Sequence, residues 1–483
     1  MEDVRVSRLI KSVYFFLYAG FGVLSPYFAI FIESRGLSKP QIGILSMIPN
    51  IFCVLLGAPL SMVADAWKCP LQMIMLSIVL SVVLTLCIFW FGYSFASFAL
   101  LVIVGAIVRA PLTSLVDSFT IGRLQNASEF GNYRLWGAAS FGLSSLLGGL
   151  LLTPRQGGDP TKSEASAQGF DWIFYLNATF TLFAVLVVMR LAAATPSQSN
   201  FTQLPSSSQH SAAEEVEEKL ASKPLPAPPV SSSSNTVSVL RSILATFRSN
   251  PRIASFAFVV FVSGIGDGVI EAFLFIRLKE LGASGLLLGL ARLQTCVAEV
   301  PAFILAGKLY NLIGVWRTLS VTQVAYVIRF ACYALLVKHY LWLILLVELL
   351  NGLTFAVTWQ ASCQYAAEVA PPGTEATMQS LIEGLHWGLG SGLGALIAGY
   401  VYHWAGAVPL FAASSLLCCL SFLCSFITGF FESTPSKGED AINPEVVESP
   451  LNKFSIVGEE EEEQDEVDGE IQIEMVINNS PQS

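Results

Sequence analysis

Seven residues able to hold, pass or stabilise a proton lie inside apolar runs of this chain's second half: Asp267, Glu271, Glu299, Arg329, Glu348, Glu383 and His386. Arg329 interrupts TLSVTQVAYVIRFACYALLV, and Glu348 interrupts LWLILLVELLNGLTFAVTWQASCQYAA. Glu383 and His386 stand among Gly384, Gly388, Gly390, Gly392, Gly394, Ala398 and Gly399. A charge at the centre of a bilayer costs roughly 3 kcal/mol or more, so such groups face a bundle interior or a water-filled cavity. Glycines four apart let a neighbouring helix approach to backbone contact. For a single charged residue the plain role is to staple two helices. The set as a whole exceeds that role, because five carboxylates face only two arginines, Arg292 and Arg329. Two ion pairs leave the other carboxylates protonated, hydrated or paired to something mobile. Asp267 and Glu271, one helical turn apart, are least able to ionise together. Coupling to protons is the chemistry such an excess supports. His386 titrates near neutrality and can serve as a relay, or it is a packing residue among the glycines.

The first half contributes one unusual cation. Arg109 falls in mid-run with no acid at its depth, while Asp117, two turns on, is placed to pair with Arg134. A solitary arginine suits a carboxylate or phosphate group; the alternative is a pair across the cavity with Asp267. Arg292 is a second candidate for holding solute. The rings of Tyr27, Trp359 and Trp387 can stack on a ring or sugar, although membrane aromatics also serve packing and interfaces. No nucleophile elbow, phosphate loop or metal-ligand spacing occurs, which speaks against an enzyme, a metal, a cofactor or a nucleic-acid partner.

The elements that must position these groups are membrane helices. Of 483 residues, 53% are hydrophobic and 13% charged, with a mean hydropathy of +0.62. Apolar runs fit twelve spans, at roughly 9–32, 41–63, 71–92, 95–117, 134–153, 170–190, 253–277, 285–306, 317–337, 340–366, 377–403 and 408–430. An all-α membrane protein of twelve transmembrane helices in two six-helix pseudo-repeats follows, with bundles at 1–190 and 251–431. Residues 191–250, rich in Ser, Pro and Glu, read as a disordered cytoplasmic linker, and 432–483 as an acidic disordered tail. The net charge of −10 comes from that tail: residues 1–431 hold 24 basic and 21 acidic groups. With the termini inside, sixteen lysines and arginines lie on the cytoplasmic side and seven outside, so both termini are expected to be cytoplasmic. No cleavable leader is read at the N-terminus. None of the nine cysteines falls in an external loop, so no disulfide framework is expected. The sequons at Asn126, Asn177, Asn200 and Asn478 fall on cytoplasmic or intramembrane positions and are expected to stay unglycosylated.

Several separated motifs carry a resemblance. The opening YFFLYAGFGVLSPYFAIFIESRGLSKPQIGIL, then RAPLTSLVD and FGNYRLWGAASFG, are similar to the major facilitator superfamily branch of lactose-permease-like and nucleoside–proton symporter-like proteins. The stretches EAFLFIRLKELGAS, AEVPAF, VIRF, ELLNGLTFAVTWQA and EGLHWGLGSGLGALIAG resemble the eukaryotic group called major facilitator superfamily domain-containing protein six. The superfamily's loop motif between spans 2 and 3 survives only as Ser61, Asp65 and Lys68. Its counterpart keeps Gly307, Gly314 and Arg317 but carries Asn311 where an Asp is usual. The resemblance implies a cytoplasmic gate containing Asp65, Asp117, Arg134 and Arg317, weaker than usual, and transport by alternating access. The resulting expectation is a monomeric proton symporter for a small polar or anionic organic solute. The alternative is a transporter-shaped receptor or scaffold that moves nothing.

Overall fold

Long apolar runs that cannot leave backbone groups unpaired in lipid must form helices, and every regular element among the described residues is helical. The computed structural model describes residues 2–67, 69–123, 130–153, 164–194, 250–370 and 374–433. The expected linker core and acidic tail therefore lie outside the described residues, as do Asn126, Asn200, Asn478 and Lys68.

The first six helices are α1 (Glu2–Ser34), α2 (Lys39–Ala66), α3 (Pro70–Phe91), α4 (Phe95–Ile121), α5 (Phe130–Leu151) and α6 (Glu164–Ala194). The second six are α7 (Pro251–Glu280), α8 (Gly285–Ile313), α9 (Val315–Leu335), α10 (Lys338–Val369), α11 (375–405) and α12 (Ala407–Ser433). Ten of these twelve are long and apolar enough to cross a bilayer. The other two, α5 and α11, are diluted by glycine and serine, and their helices meet partners at backbone distance instead. The twelve sit in one compact unit, Met1–Ser433.

Departures from regular helix have local causes. Pro111 has no N–H to donate, so α4 breaks between Arg109 and Leu112. In α10 a 3₁₀ turn at Glu348–Leu350 runs into a π-helical turn at Gly352–Val357. In α11 a second π-helical segment occupies Gly384–Ser391, between Glu375–Glu383 and Gly392–Ala405. Such wide turns tend to mark functional sites.

The two bundles meet at the end away from the chain termini. A methyl on Gly43 would lie 2.6 Å from the Ala395 carbonyl, and one on Gly399 2.6 Å from the Lys39 carbonyl, so α2 and α11 touch only because both are glycine. Gly149 and Gly285 make the same approach between α5 and α8. At the rim Lys39 Nζ bridges Glu33 at 2.6 Å and Glu280 at 2.7 Å. Tyr402 donates to Glu280, and the Lys39 ammonium sits 4.5 Å over its ring. These contacts join α1, α2, α7 and α11. Towards the termini the segments 112–121 and 375–383 make no substantial contact with the opposite bundle.

Candidate functional site

Arg329 and Glu348 meet in the interior of the second bundle, Nη2 to Oε2 at 2.6 Å, with both side chains 2% exposed. The 3₁₀ turn aligns residues three apart, which brings Glu348 and Asn351 onto the face of α10 that looks at α9. Arg329 Nη1 donates to Asn351 Oδ1 at 2.7 Å and Thr354 Oγ1 at 2.8 Å. Its Nε donates to Tyr333, whose hydroxyl donates to Glu348 Oε1 at 2.6 Å. Asn351 completes the chain by donating to Glu299 Oε1 at 2.6 Å. Glu299 and Glu348 thus communicate through one amide and one guanidinium.

A second group forms where α7 and α11 touch. Gly264 lies against the His386 backbone and Gly268 against Ser391, with no room for a methyl at either. That approach sets His386 Nε2 3.1 Å from Asp267 Oδ2. Tyr326 donates to Asp267 Oδ1 at 2.8 Å, and His386 Nδ1 lies 3.3 Å from the Val260 carbonyl. Asp267 and His386 are 7% and 2% exposed. Glu271 takes a different partner, Arg292 at 2.6 Å. The competition expected between Asp267 and Glu271 is therefore relieved: one turn apart, each has its own nitrogen partner. Pro26, Glu271, Arg292, Thr295 and Glu348 share the wall of a small cavity beside these pairs. Glu299 and Glu383 join no ion pair among the described residues; Glu299 is partly buried and Glu383 exposed.

Phe355 and Trp359 of α10 are half-buried and face α8 and α11. A row of rings spans three helices: Phe303 to Phe355 at 5.9 Å, Phe355 to Trp387 at 5.7 Å, Trp387 to Trp359 at 6.2 Å, and Trp359 to His386 at 5.4 Å.

In the first bundle, Tyr27 is fully buried at the closed end, donating to the Ser145 carbonyl and tilted against Phe275. Its ring is part of the seam in this conformation. Arg292 lies 5.3 Å over Phe141 of α5, so its stem crosses between bundles. Asp117 accepts from Tyr14 at 2.6 Å and lies 3.8 Å from Arg134. Arg317 is exposed and joins no ion pair among the described residues, and the Asp65 side chain lies outside them. Arg109 does not reach Asp267, whose oxygens are held by Tyr326 and His386; it lies 3.4 Å from Thr85 Oγ1 of α3. Asn177, one of the sequons, is 7% exposed and donates to the Gly20 carbonyl at 2.7 Å.

Sequence reasoning missed Tyr326, Tyr333 and Asn351. The first two stand three before and four after Arg329, on its face of α9, so helical spacing carried that signal. It also missed the rim formed by Glu33, Lys39, Glu280 and Tyr402, since nothing local links residues so distant in sequence.

Similarities to known proteins agree with this architecture. The chain is 27% identical over 175 residues to "Major facilitator superfamily domain-containing protein 6-like protein B" of Xenopus laevis, covering 36% of this chain and 28% of that protein. It is 25% identical over 177 residues to the "Major facilitator superfamily domain-containing protein 6-like" protein of Danio rerio, covering 36% and 32%. The matches thus span about a third of each curated relative or less. Among solved structures, the nucleoside transporter NupG superposes with a TM-score of 0.66 at 15% identity, over 89% of this chain and 99% of that one. The D-xylose-proton symporter gives 0.59 at 13% identity, over 88% and 96%. The model of the MFS_1 like family matches residues 8–413, and the chain belongs to that family.

Proposed function

We propose that this chain is a secondary transporter that moves a small polar organic solute by alternating access, together with protons. The observation that carries the reading is the setting of His386. A neutral imidazole has one N–H and one lone pair. Both ring nitrogens face oxygens, Val260 O at 3.3 Å and Asp267 Oδ2 at 3.1 Å. The carbonyl only accepts, so Nδ1 carries hydrogen. Nε2 then either donates to a charged Asp267 or accepts from a neutral one. Both arrangements hold one proton more than a neutral imidazole beside a bare carboxylate. Losing it turns two acceptors towards each other and weakens the α7–α11 contact. Proton release is thereby linked to helix separation. Tyr326, Arg329 and Cys418, and Glu271 one turn along α7 in its pair with Arg292, are titratable groups near Asp267. A solute resting on Trp359 would lie against the ring that packs on His386 at 5.4 Å, which supports coupling between the two ligands.

Purified protein is first screened by melting temperature against sugars, nucleosides, organic acids and amino acids. A binding solute, added outside proteoliposomes that enclose a pH-sensitive dye, should acidify the lumen. Asp267→Asn and His386→Gln should stop proton entry and keep solute exchange at equal concentrations. Proton entry undiminished in both variants refutes the coupling. Solute binding with no transport at all favours the receptor reading.

A further inference from the structure

We propose that Arg109, Thr85 and Ser81 form a binding site for a small anion between α3 and α4, inside the first bundle and separate from the proton-linked cluster. Ser77, Ser81 and Thr85 repeat every four residues and are all buried, making a polar stripe on the side of α3 that faces inward. Ser81 and Thr85 are each 5% exposed. Arg109, at the break before Pro111, lies with Nη2 3.4 Å from Thr85 Oγ1, a weak bond at that distance. Its Nε is buried without a hydrogen-bond partner, and so is Ser81 Oγ, one turn from Thr85. Gly105, one turn before Arg109, leaves its guanidinium the space a side chain would fill: a methyl there would come within 3.3 Å of Nη2.

Arginine cannot shed its charge, unlike a buried carboxylate or lysine. Three other described arginines near mid-membrane or at the mouth have carboxylates: Arg292 has Glu271, Arg329 has Glu348 and Arg134 has Asp117. Arg109 joins no ion pair among the described residues. The nearest acid along its own helix, Asp117, is already engaged by Tyr14 and Arg134. What remains is a fixed positive charge beside hydroxyl donors that have no assigned acceptor. A monovalent anion accepts from all of them at once and neutralises the charge. Either a free halide or the carboxylate or phosphate group of a solute supplies that chemistry.

Full-length protein in low-salt detergent buffer is melted while sodium chloride, sodium acetate or inorganic phosphate is titrated in, for wild type, Arg109→Gln and Ser81→Ala. The wild-type melting temperature should rise saturably with at least one anion. Arg109→Gln should show no saturable rise, and Ser81→Ala should need roughly tenfold more anion, the effect of one hydrogen bond to a charged group. Saturation by chloride alone assigns a halide. Saturation by acetate or phosphate assigns the anionic group of a solute, and the proton-entry assay above stays a separate test. A wild type that responds to all three anions as Arg109→Gln does overturns the site. If Arg109→Gln does not fold, the double variant Ser81→Ala, Thr85→Val replaces it, and an anion response equal to wild type in that variant is equally fatal.

Discussion

Replacing Glu348 with Gln tests whether the Arg329 cluster staples the second bundle together. Four of the five N–H groups of Arg329 are used, on Tyr333, Asn351, Thr354 and Glu348. The substitution keeps volume and removes the one carboxylate paired with this guanidinium among the described residues. Breaking a buried pair by removing one partner costs about 3–5 kcal/mol, because the other charge stays behind without compensation. Gln retains a carbonyl to accept from Arg329, so the lower part of that range, about 3 kcal/mol, is expected. Arg329→Met alone should cost a similar amount, since it strands the Glu348 charge and leaves Asn351 Oδ1 without its donor. Arg329→Met with Glu348→Gln removes both charges and should be milder than the sum of the two by at least about 1.5 kcal/mol. The assay is reversible unfolding in mixed micelles followed by tryptophan fluorescence, with all variants in one detergent. Single variants within about 0.5 kcal/mol of wild type, or strictly additive losses, would show that the pair is solvated and would remove it as a structural staple.

Two further outcomes are expected. The Lys39 bridges are partly exposed, so each contributes at most about 1 kcal/mol, and Lys39→Met should raise the population open at the rim by about fivefold; maleimide labelling of Ala398→Cys in a cysteine-free background reads this, and unchanged labelling would show that the rim does not hold the closed end. Gly399→Val should lower the melting temperature and expose the same probe, because its Cβ lies 2.6 Å from the Lys39 carbonyl; an unshifted melt would mean that α2 can retreat at no cost.

The twelve-helix plan was legible because lipid imposes it: length and apolarity mark a span almost independently of its neighbours. The two helices that strain that rule, α5 and α11, are diluted by glycine and serine yet still read as apolar runs at 134–153 and 377–403. Pairing was less accessible. The partnership of Asp117 with Arg134 could be read from nearness in the chain, and the structure brings them to 3.8 Å. The division of Asp267 and Glu271 between His386 and Arg292 could not, since it depends on the π-helical segment of α11 that turns His386 towards α7. Regular 3.6-residue geometry, applied to α10 and α11, misplaces side chains on either side of such turns. For the same reason the bonding of Glu348 to Tyr333 went unseen.

The glycine contacts between the bundles have a mechanical consequence. Interlocked side chains act like gear teeth: to slide, they must unmesh, and packed interiors resist such changes until they switch. Where Gly43 meets Gly399, and Gly149 meets Gly285, backbone lies on backbone and there are no teeth. These contacts behave as plain bearings, on which backbone can slide over backbone, while the neighbouring ring pair Tyr27 and Phe275 must still part. The ionic rim around Lys39 then plays a different part, that of a catch, which sets where the sliding stops. Stiffness and position are thus assigned to different residues: a bulky substitution in the bearing should hold the bundles apart, and a neutral one in the catch should only change where they rest.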